Sequence, residues 1–184
     1  MQHLRKLRDM PLLQSLTRFF AAPAADNAAI AALYGRCVAQ ARRPDFYRAL
    51  AVPDTIDGRF DLLVLHVFLV MRRLDADAKQ QLFDLMFADM DRNLREMGVG
   101  DMGIGKRVKP MIAAFYGRAQ AYEKALAETD EALAAALARN LYGKATPSAK
   151  ALQAMAAYVR RTALMLEEQA VEDWLSGRVE FEAL

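Results

Sequence analysis

Between Asp77 and Met97 the apolar residues Phe83, Phe87, Met90, Leu94 and Met97 recur at offsets of four and three. That spacing puts them in one seam of a helix spanning the segment. Asp84, Asp91 and Arg95 fall on one flank of the seam; Asp89, Asn93 and Glu96 fall on the other. Asp91 and Arg95 are four apart with the acid first, the favourable order for a helical ion pair. The preceding helix, starting near Phe60, is apolar on every side until Arg72 and Arg73, with His66 inside it. A helix without a polar face must be central, so the buried centre of the fold is expected near residues 60–73. Its longest apolar run, "LLVLHVFLVM" (Leu62 to Met71), is about half the roughly 20 residues that cross a bilayer.

The other segments follow the same period. A helix capped by Asp26 turns Ile30, Leu33, Tyr34 and Cys37 inward and ends before Pro44, which pushes Arg43 out of helical geometry. "LAVPDTIDGRF" (Leu50 to Phe60) reads as a loop, because Pro53, Asp54, Asp57 and Gly58 are turn residues. A fifth helix carries Pro110 in its first turn and runs to Glu128, marked by Ile112, Phe115, Tyr122 and Leu126. A sixth starts at Thr129 or Asp130 and stops at Gly143. A seventh runs from Ser148 to about Glu168, and a piece with Trp174 either continues it or folds back. No segment alternates like a strand. The expected fold is all-α: a single-domain bundle of about seven helices over residues 26–184. Residues 1–25 form a basic amphipathic arm, with Arg5, Lys6, Arg8 and Arg18 against Asp9, and Leu12, Leu13, Leu16, Phe19 and Phe20 on its apolar face. That arm is either a packed terminal helix with a solvated basic edge or a contact for a membrane surface or partner.

Composition agrees and narrows the function. The 184 residues are 54% hydrophobic and 26% charged, enough for one sizeable core. A net charge of +2, without an arginine stripe interleaved with aromatics, gives no footprint for nucleic acid. The N-terminus lacks the clean apolar core and cleavage site of a secretory signal. Cys37 is the single cysteine, which suits a reducing compartment, and its apolar neighbours suit a small buried side chain.

One stretch imitates chemistry. "GVGDMGIGKRVK" (Gly98 to Lys109) contains both G-x-G-x-x-G and G-x-x-x-x-G-K spacings. Each nucleotide motif needs a strand before it, and a P-loop needs a hydroxyl after its lysine. Here a charged helix precedes, and Arg107 follows Lys106. The stretch therefore reads as a turn: Gly98 as a left-handed cap after Met97, with Gly100, Gly103 and Gly105 turning the chain before Pro110. Neither histidine, His3 or His66, has a glutamate three residues before it, so no di-metal bundle site is expected. His66 reads as a core histidine bonded to a neighbouring helix. No catalytic triad can be assembled, and no metal, nucleotide or other cofactor is expected. The residues describe a non-enzymatic helical domain that binds through its surfaces.

Three blocks carry a resemblance: "RRPDFYRALAVPDTIDGRFDLLVLHVFLVMRRL", "LFDLMFADMDRNLREMGVGDMGIGKRVK" and "AFYGRAQAYEKAL". Their order and spacing, over about Leu33 to Val159, resemble the ubiquinol–cytochrome c chaperone family, the assembly factors of the cytochrome bc1 complex. The Ala- and Arg-rich composition looks like that of a bacterial-type member. The resemblance implies an all-helical, cofactor-free chaperone that binds cytochrome b or its nascent chain, together with a small helical partner protein in mitochondrial relatives. It implies a site of action at the cytoplasmic face of the bacterial inner membrane, or the matrix side in a eukaryote. A membrane-peripheral binding module with a different client is the alternative.

Residues of the quoted blocks divide into two candidate sets. Asp89, Met90, Arg92, Glu96, Met97, Asp101, Met102 and Lys106 are candidates for partner contact. Arg59, Asp61, His66, Arg72, Asp91, Arg95, Gly98 and Gly100 are candidates for structural roles. For Arg59, Asp61, Asp91 and Arg95 the expectation is a buried or semi-buried ion network that fixes helix register, with a recognition surface as the other reading. Met86, Met90, Met97, Met102 and Met111 gather around the glycine stretch, either as an adaptable apolar surface for a membrane helix or as core filling.

Overall fold

The computed structural model describes residues 24–96, 98, 101–174 and 176–184, and the side chains of these except 24–27 and 101–109. The arm expected at residues 1–25 lies outside them, apart from its last two residues, which are already helical.

Helix α1 (Ala24–Ala41) contains Asp26 as its third residue, so Asp26 does not occupy the expected cap. Ile30, Leu33, Tyr34 and Cys37 are buried on one face, as the period requires. Arg43 is extended (φ −61°, ψ 129°), and Pro44 opens the short helix α2 (Pro44–Arg48).

Helix α3 (Ile56–Met71) is the centre of the fold. Leu62, Val64 to Val67, Leu69 and Val70 are each at most 1% exposed. It packs on α1, on α4 (Ala76–Glu96), on α5 (Asp101–Leu126), on the π-helical turn Ala138–Tyr142 and on α7 (Ala149–Glu168). It begins four residues before Phe60, inside the segment read as a loop. Thr55 caps it by accepting the Gly58 N–H at 3.1 Å. Gly58 is not a turn residue: a Cβ there would lie 2.1 Å from the Pro53 carbonyl oxygen. Glycine is needed for close approach of two backbones.

In α4, Phe83, Phe87 and Leu94 are buried and Met90 is half-buried; Met97 lies outside the described residues. Asp84, assigned to a flank, is 3% exposed and accepts Gln80 Nε2 at 2.7 Å. After α4, Gly98 is left-handed (φ +82°) and its N–H returns to Arg95 O at 2.9 Å. The rest of the glycine stretch departs from expectation. Helix α5 starts at Asp101, Gly103 and Gly105 are helical, and Pro110 lies well inside. Local propensity argues against this, since glycine and proline cost about 1 and 3 kcal/mol in a helix interior. Hairpin packing overrides it. Phe83 stacks on Tyr116 and meets Phe115 edge-on, with centroids 5.5 and 5.2 Å apart. Phe83 is 13 residues before the end of α4, and Phe115 is 14 after the start of α5. In that register residues 101–109 run alongside the last turns of α4.

Thr129 caps α6 (Asp130–Leu137), which passes directly into the π-helical turn; Gly143 (φ +58°) ends it. Ser148 caps α7. After α8 (Val171–Trp174) the chain folds back, and Val179 is fully buried. The described residues contain no strand and no helix long and apolar enough to cross a membrane.

Candidate functional site

Breaks in helices leave dents, because side chains cannot fill a space that no helix face covers. Here several breaks converge. Pro53, the capped start of α3, Pro110 inside α5 and Gly143 after the π-helical turn border one groove of about 600 Å³. Phe60, Met111, Ala114, Leu141 and Tyr142 give it apolar walls; Asp57, Asp61, Arg118 and Lys144 add charge.

The charged pair in this groove organises it. Arg118 Nη2 lies 2.8 Å from Asp61 Oδ1, with side chains 21% and 15% exposed. The same guanidinium donates through Nε to Asn140 O at 3.1 Å, joining α5 to α3 and to the π-helical turn. Tyr142 OH donates to Leu50 O at 2.7 Å and fixes that turn to the segment before α3. Burial pushes the Asp61 carboxyl up to about 6; Arg118 opposes this and Asp57 adds to it. π-Helical turns are frequent at functional sites.

Among the described residues Arg59, Asp61 and the Asp91–Arg95 pair do not join into one network. Arg59 turns outward to Asp54 at 2.6 Å, both 56% exposed, and lies over the Tyr47 ring at 5.3 Å. Asp91 and Arg95 pair along α4 at 2.8 Å on the surface. Asp61 is the most buried of the four, and its partner is Arg118. The reason is geometric: Asp91 and Arg95 lie one helical turn apart and reach each other within α4. Arg72 does bridge elements, reaching Glu123 of α5 at 3.0 Å and Glu167 of α7 at 3.2 Å.

Asp89 is engaged within the fold. Tyr34 OH of α1 donates to it at 2.9 Å, Arg92 at 2.7 Å and Asn93 at 3.2 Å. Burial first, and then Asp89, raises the Tyr34 phenol pKa. Arg92 and Glu96 are exposed. Met86 is fully buried and fills the core, while Met90 and Met111 pack half-buried against it. Gly100 lies outside the described residues. Asp101, Met102 and Lys106 lie on the first turns of α5, the helix whose Pro110 and Met111 line the groove.

His66 is fully buried. Its Nδ1 faces Leu62 O at 2.8 Å and must donate, so Nε2 accepts from Tyr158 OH at 2.8 Å. Gln40 Nε2 completes the chain by donating to the Tyr158 oxygen at 3.1 Å. Burial holds the imidazole down at about 4, so it is neutral and structural at pH 7. Burial also pushes the Cys37 thiol up to about 12, which leaves no thiolate nucleophile. Among the described residues no three His, Cys, Asp or Glu side chains are placed to hold a metal.

Arg118 is the residue the sequence reading missed. A signal existed: it lies three after Phe115 and four before Tyr122, so a charge sits on the apolar face of α5.

The described residues thus form an all-helical domain with an apolar groove and a neutral buried histidine. Comparison with known proteins gives the class. Residues 48–181 match the family model described as ubiquinol-cytochrome C chaperone, and the chain belongs to that family, one of chaperones and not of enzymes. It is 27% identical over 149 residues to ubiquinol-cytochrome-c reductase complex assembly factor 1 of Xenopus laevis, covering 78% of this chain and 74% of that one. It is 27% identical over 159 residues to the human protein of the same description, covering 83% of this chain but only 53% of the human one. The crystal structure of the Cbp3 homolog from Brucella abortus superposes with a TM-score of 0.75 at 36% identity, covering 94% of this chain and 97% of that one.

Proposed function

We propose that this protein is an assembly chaperone of the cytochrome bc1 complex that holds newly made cytochrome b at the membrane surface. The observation that carries the reading is the family match across residues 48–181. The relatives' description as assembly factors of ubiquinol-cytochrome-c reductase supports the choice of complex. The groove supports the choice of client. A membrane helix outside its bilayer exposes apolar side chains, and covering them recovers about 25 cal/mol per Å². Phe60, Met111 and Ala114 offer apolar wall, and the Asp61–Arg118 pair can meet backbone or polar groups beside it. Arg92 and Glu96 with Met90, Met97, Asp101, Met102 and Lys106 extend the contact along the α4–α5 hairpin, Asp89 serving mainly to hold α4 on α1. The protein works at the cytoplasmic face of a bacterial inner membrane, or at the matrix face in a mitochondrion. The basic segment holding Arg5, Lys6, Arg8 and Arg18 suits an anionic lipid surface.

The test is deletion of the gene, measurement of spectroscopic bc1 content in membranes, and complementation with wild type or Ala114→Glu. Deletion lowers bc1 content, wild type restores it, and the folded variant does not. Normal bc1 content in the deletion strain refutes the function. Full rescue by a folded Ala114→Glu protein moves the contact away from the groove.

A further inference from the structure

The segment after Gly177 is held by side chains that bind its backbone. Arg36 of α1 donates through Nε and Nη2 to Val179 O at 3.4 and 3.3 Å. Gln40 of α1 donates to Glu182 O at 3.4 Å. The Gln169 amide, at the end of α7, takes both backbone groups of Glu180: its Oε1 accepts the N–H at 3.0 Å and its Nε2 donates to the carbonyl at 2.9 Å. Trp174 Nε1 donates to the same Oε1 at 3.1 Å and orients that amide.

Side-chain selection enters at alternate positions. Val179 is fully buried, and the Phe181 ring lies edge-on to His66 with centroids 5.4 Å apart. Glu180 between them is exposed, and Glu182 pairs with Arg161 of α7 at 2.9 Å. Alternation of this kind is what an extended segment presents. Backbone contacts for register plus pockets for alternate side chains is how folded domains bind extended peptides. None of these residues lines the groove between α3 and α5.

We infer that the cleft between α1 and α7 is a peptide-binding site, filled in cis by the chain's own C-terminal segment. Its ligand in trans is an extended partner segment with two apolar residues two positions apart, followed by an acid. The charges match where they meet: Arg161 pairs with Glu182, the acid that follows the second anchor, while Arg36 takes the carbonyl of the first. The hold on that segment is small beside the core, with one buried aliphatic side chain, one partly buried ring and polar contacts at the surface. Gly177, left-handed at φ +80°, is the pivot at which the chain turns into the cleft.

The test uses the full chain and a fluorescent peptide with the sequence of residues 176–184. A cis segment that closes the site lowers trans affinity by the open fraction. Val179→Asp weakens the cis segment and leaves the cleft intact. The folded variant therefore binds the peptide at least about tenfold more tightly than wild type does, and a peptide with both anchors changed to aspartate does not bind. Equal binding by the two proteins, or none by the folded variant, overturns the inference. Amide hydrogen exchange on wild type decides the matter if the variant does not fold. Exchange of residues 179–182 well ahead of α1 and α7 supports a displaceable segment. Exchange together with those helices makes the segment part of the core and overturns the inference.

Discussion

Asp61→Asn tests the electrostatics of the groove through its pH dependence. Burial raises the Asp61 carboxyl to about 6 in the fold, whereas an unfolded aspartate titrates near 3.9. Between those values the folded state binds more protons, so the Asp61 contribution to stability falls as pH rises. At about 1.4 kcal/mol per unit, the full traverse is worth roughly 3 kcal/mol. His66 acts with the opposite sign. Its folded value is about 4 against about 6.5 unfolded, so its contribution is complete above pH 6.5 and is lost as pH falls toward 4. The two nearly cancel in wild type between pH 4 and 6. Asparagine resembles the protonated acid at every pH. The variant is therefore close to wild type at pH 4 and gains on it by up to roughly 3 kcal/mol by pH 7. Urea unfolding followed by circular dichroism, at half-unit pH steps, measures the difference; the other carboxylates are common to both proteins. Parallel curves would refute the burial argument. A variant that loses ground toward neutral pH would mean that Arg118 outweighs desolvation and that the pair stabilises the fold.

Tyr158→Phe leaves His66 Nε2 buried without its donor and frees Gln40, so unfolding free energy drops by about 1–3 kcal/mol; an unchanged urea midpoint would contradict the proton assignment. Gly58→Ala drives a Cβ against the Pro53 carbonyl and destabilises by about 1–3 kcal/mol despite better helix propensity. Gly117→Ala in α5 meets nothing within 4 Å and stabilises by about 0.5–1 kcal/mol, so the two glycines differ in sign in the same unfolding assay. Glu96→Lys, on an exposed position, leaves the melting temperature nearly unchanged and weakens client capture in a pull-down; a large loss of stability would give Glu96 a structural role.

The sequence made α3 and α4 legible because their periodicity is strong: one is apolar all round, the other has a single seam. It mispositioned the start of α5 because Gly103, Gly105 and Pro110 carry a local signal against helix. The opposing force, packing of Phe83 edge-on to Phe115 and stacked on Tyr116, comes from residues far along the chain. Among the charged residues the Asp91–Arg95 pair was readable from its spacing, but the partners of Asp61 and Arg59 were not. Asp61 chose Arg118, a residue 57 positions away, whereas Arg59, two positions before Asp61, turned to Asp54. The groove has no residue-type signature; it exists because several helix breaks meet in space. The C-terminal cleft is less readable still, since Arg36, Gln40 and Gln169 grip carbonyls and one N–H that every sequence possesses. The family resemblance, carried by long blocks from Arg42 onward, gave the class that the comparisons establish.

The central claim is that the chain holds cytochrome b before the bc1 complex is complete. Affinity purification of the tagged chain from cells actively making the complex, probed for cytochrome b, tests it most directly. Cytochrome b is then recovered free of the other mature bc1 subunits, and Ala114→Glu reduces the yield. Recovery of no cytochrome b while the complex is accumulating normally would contradict it.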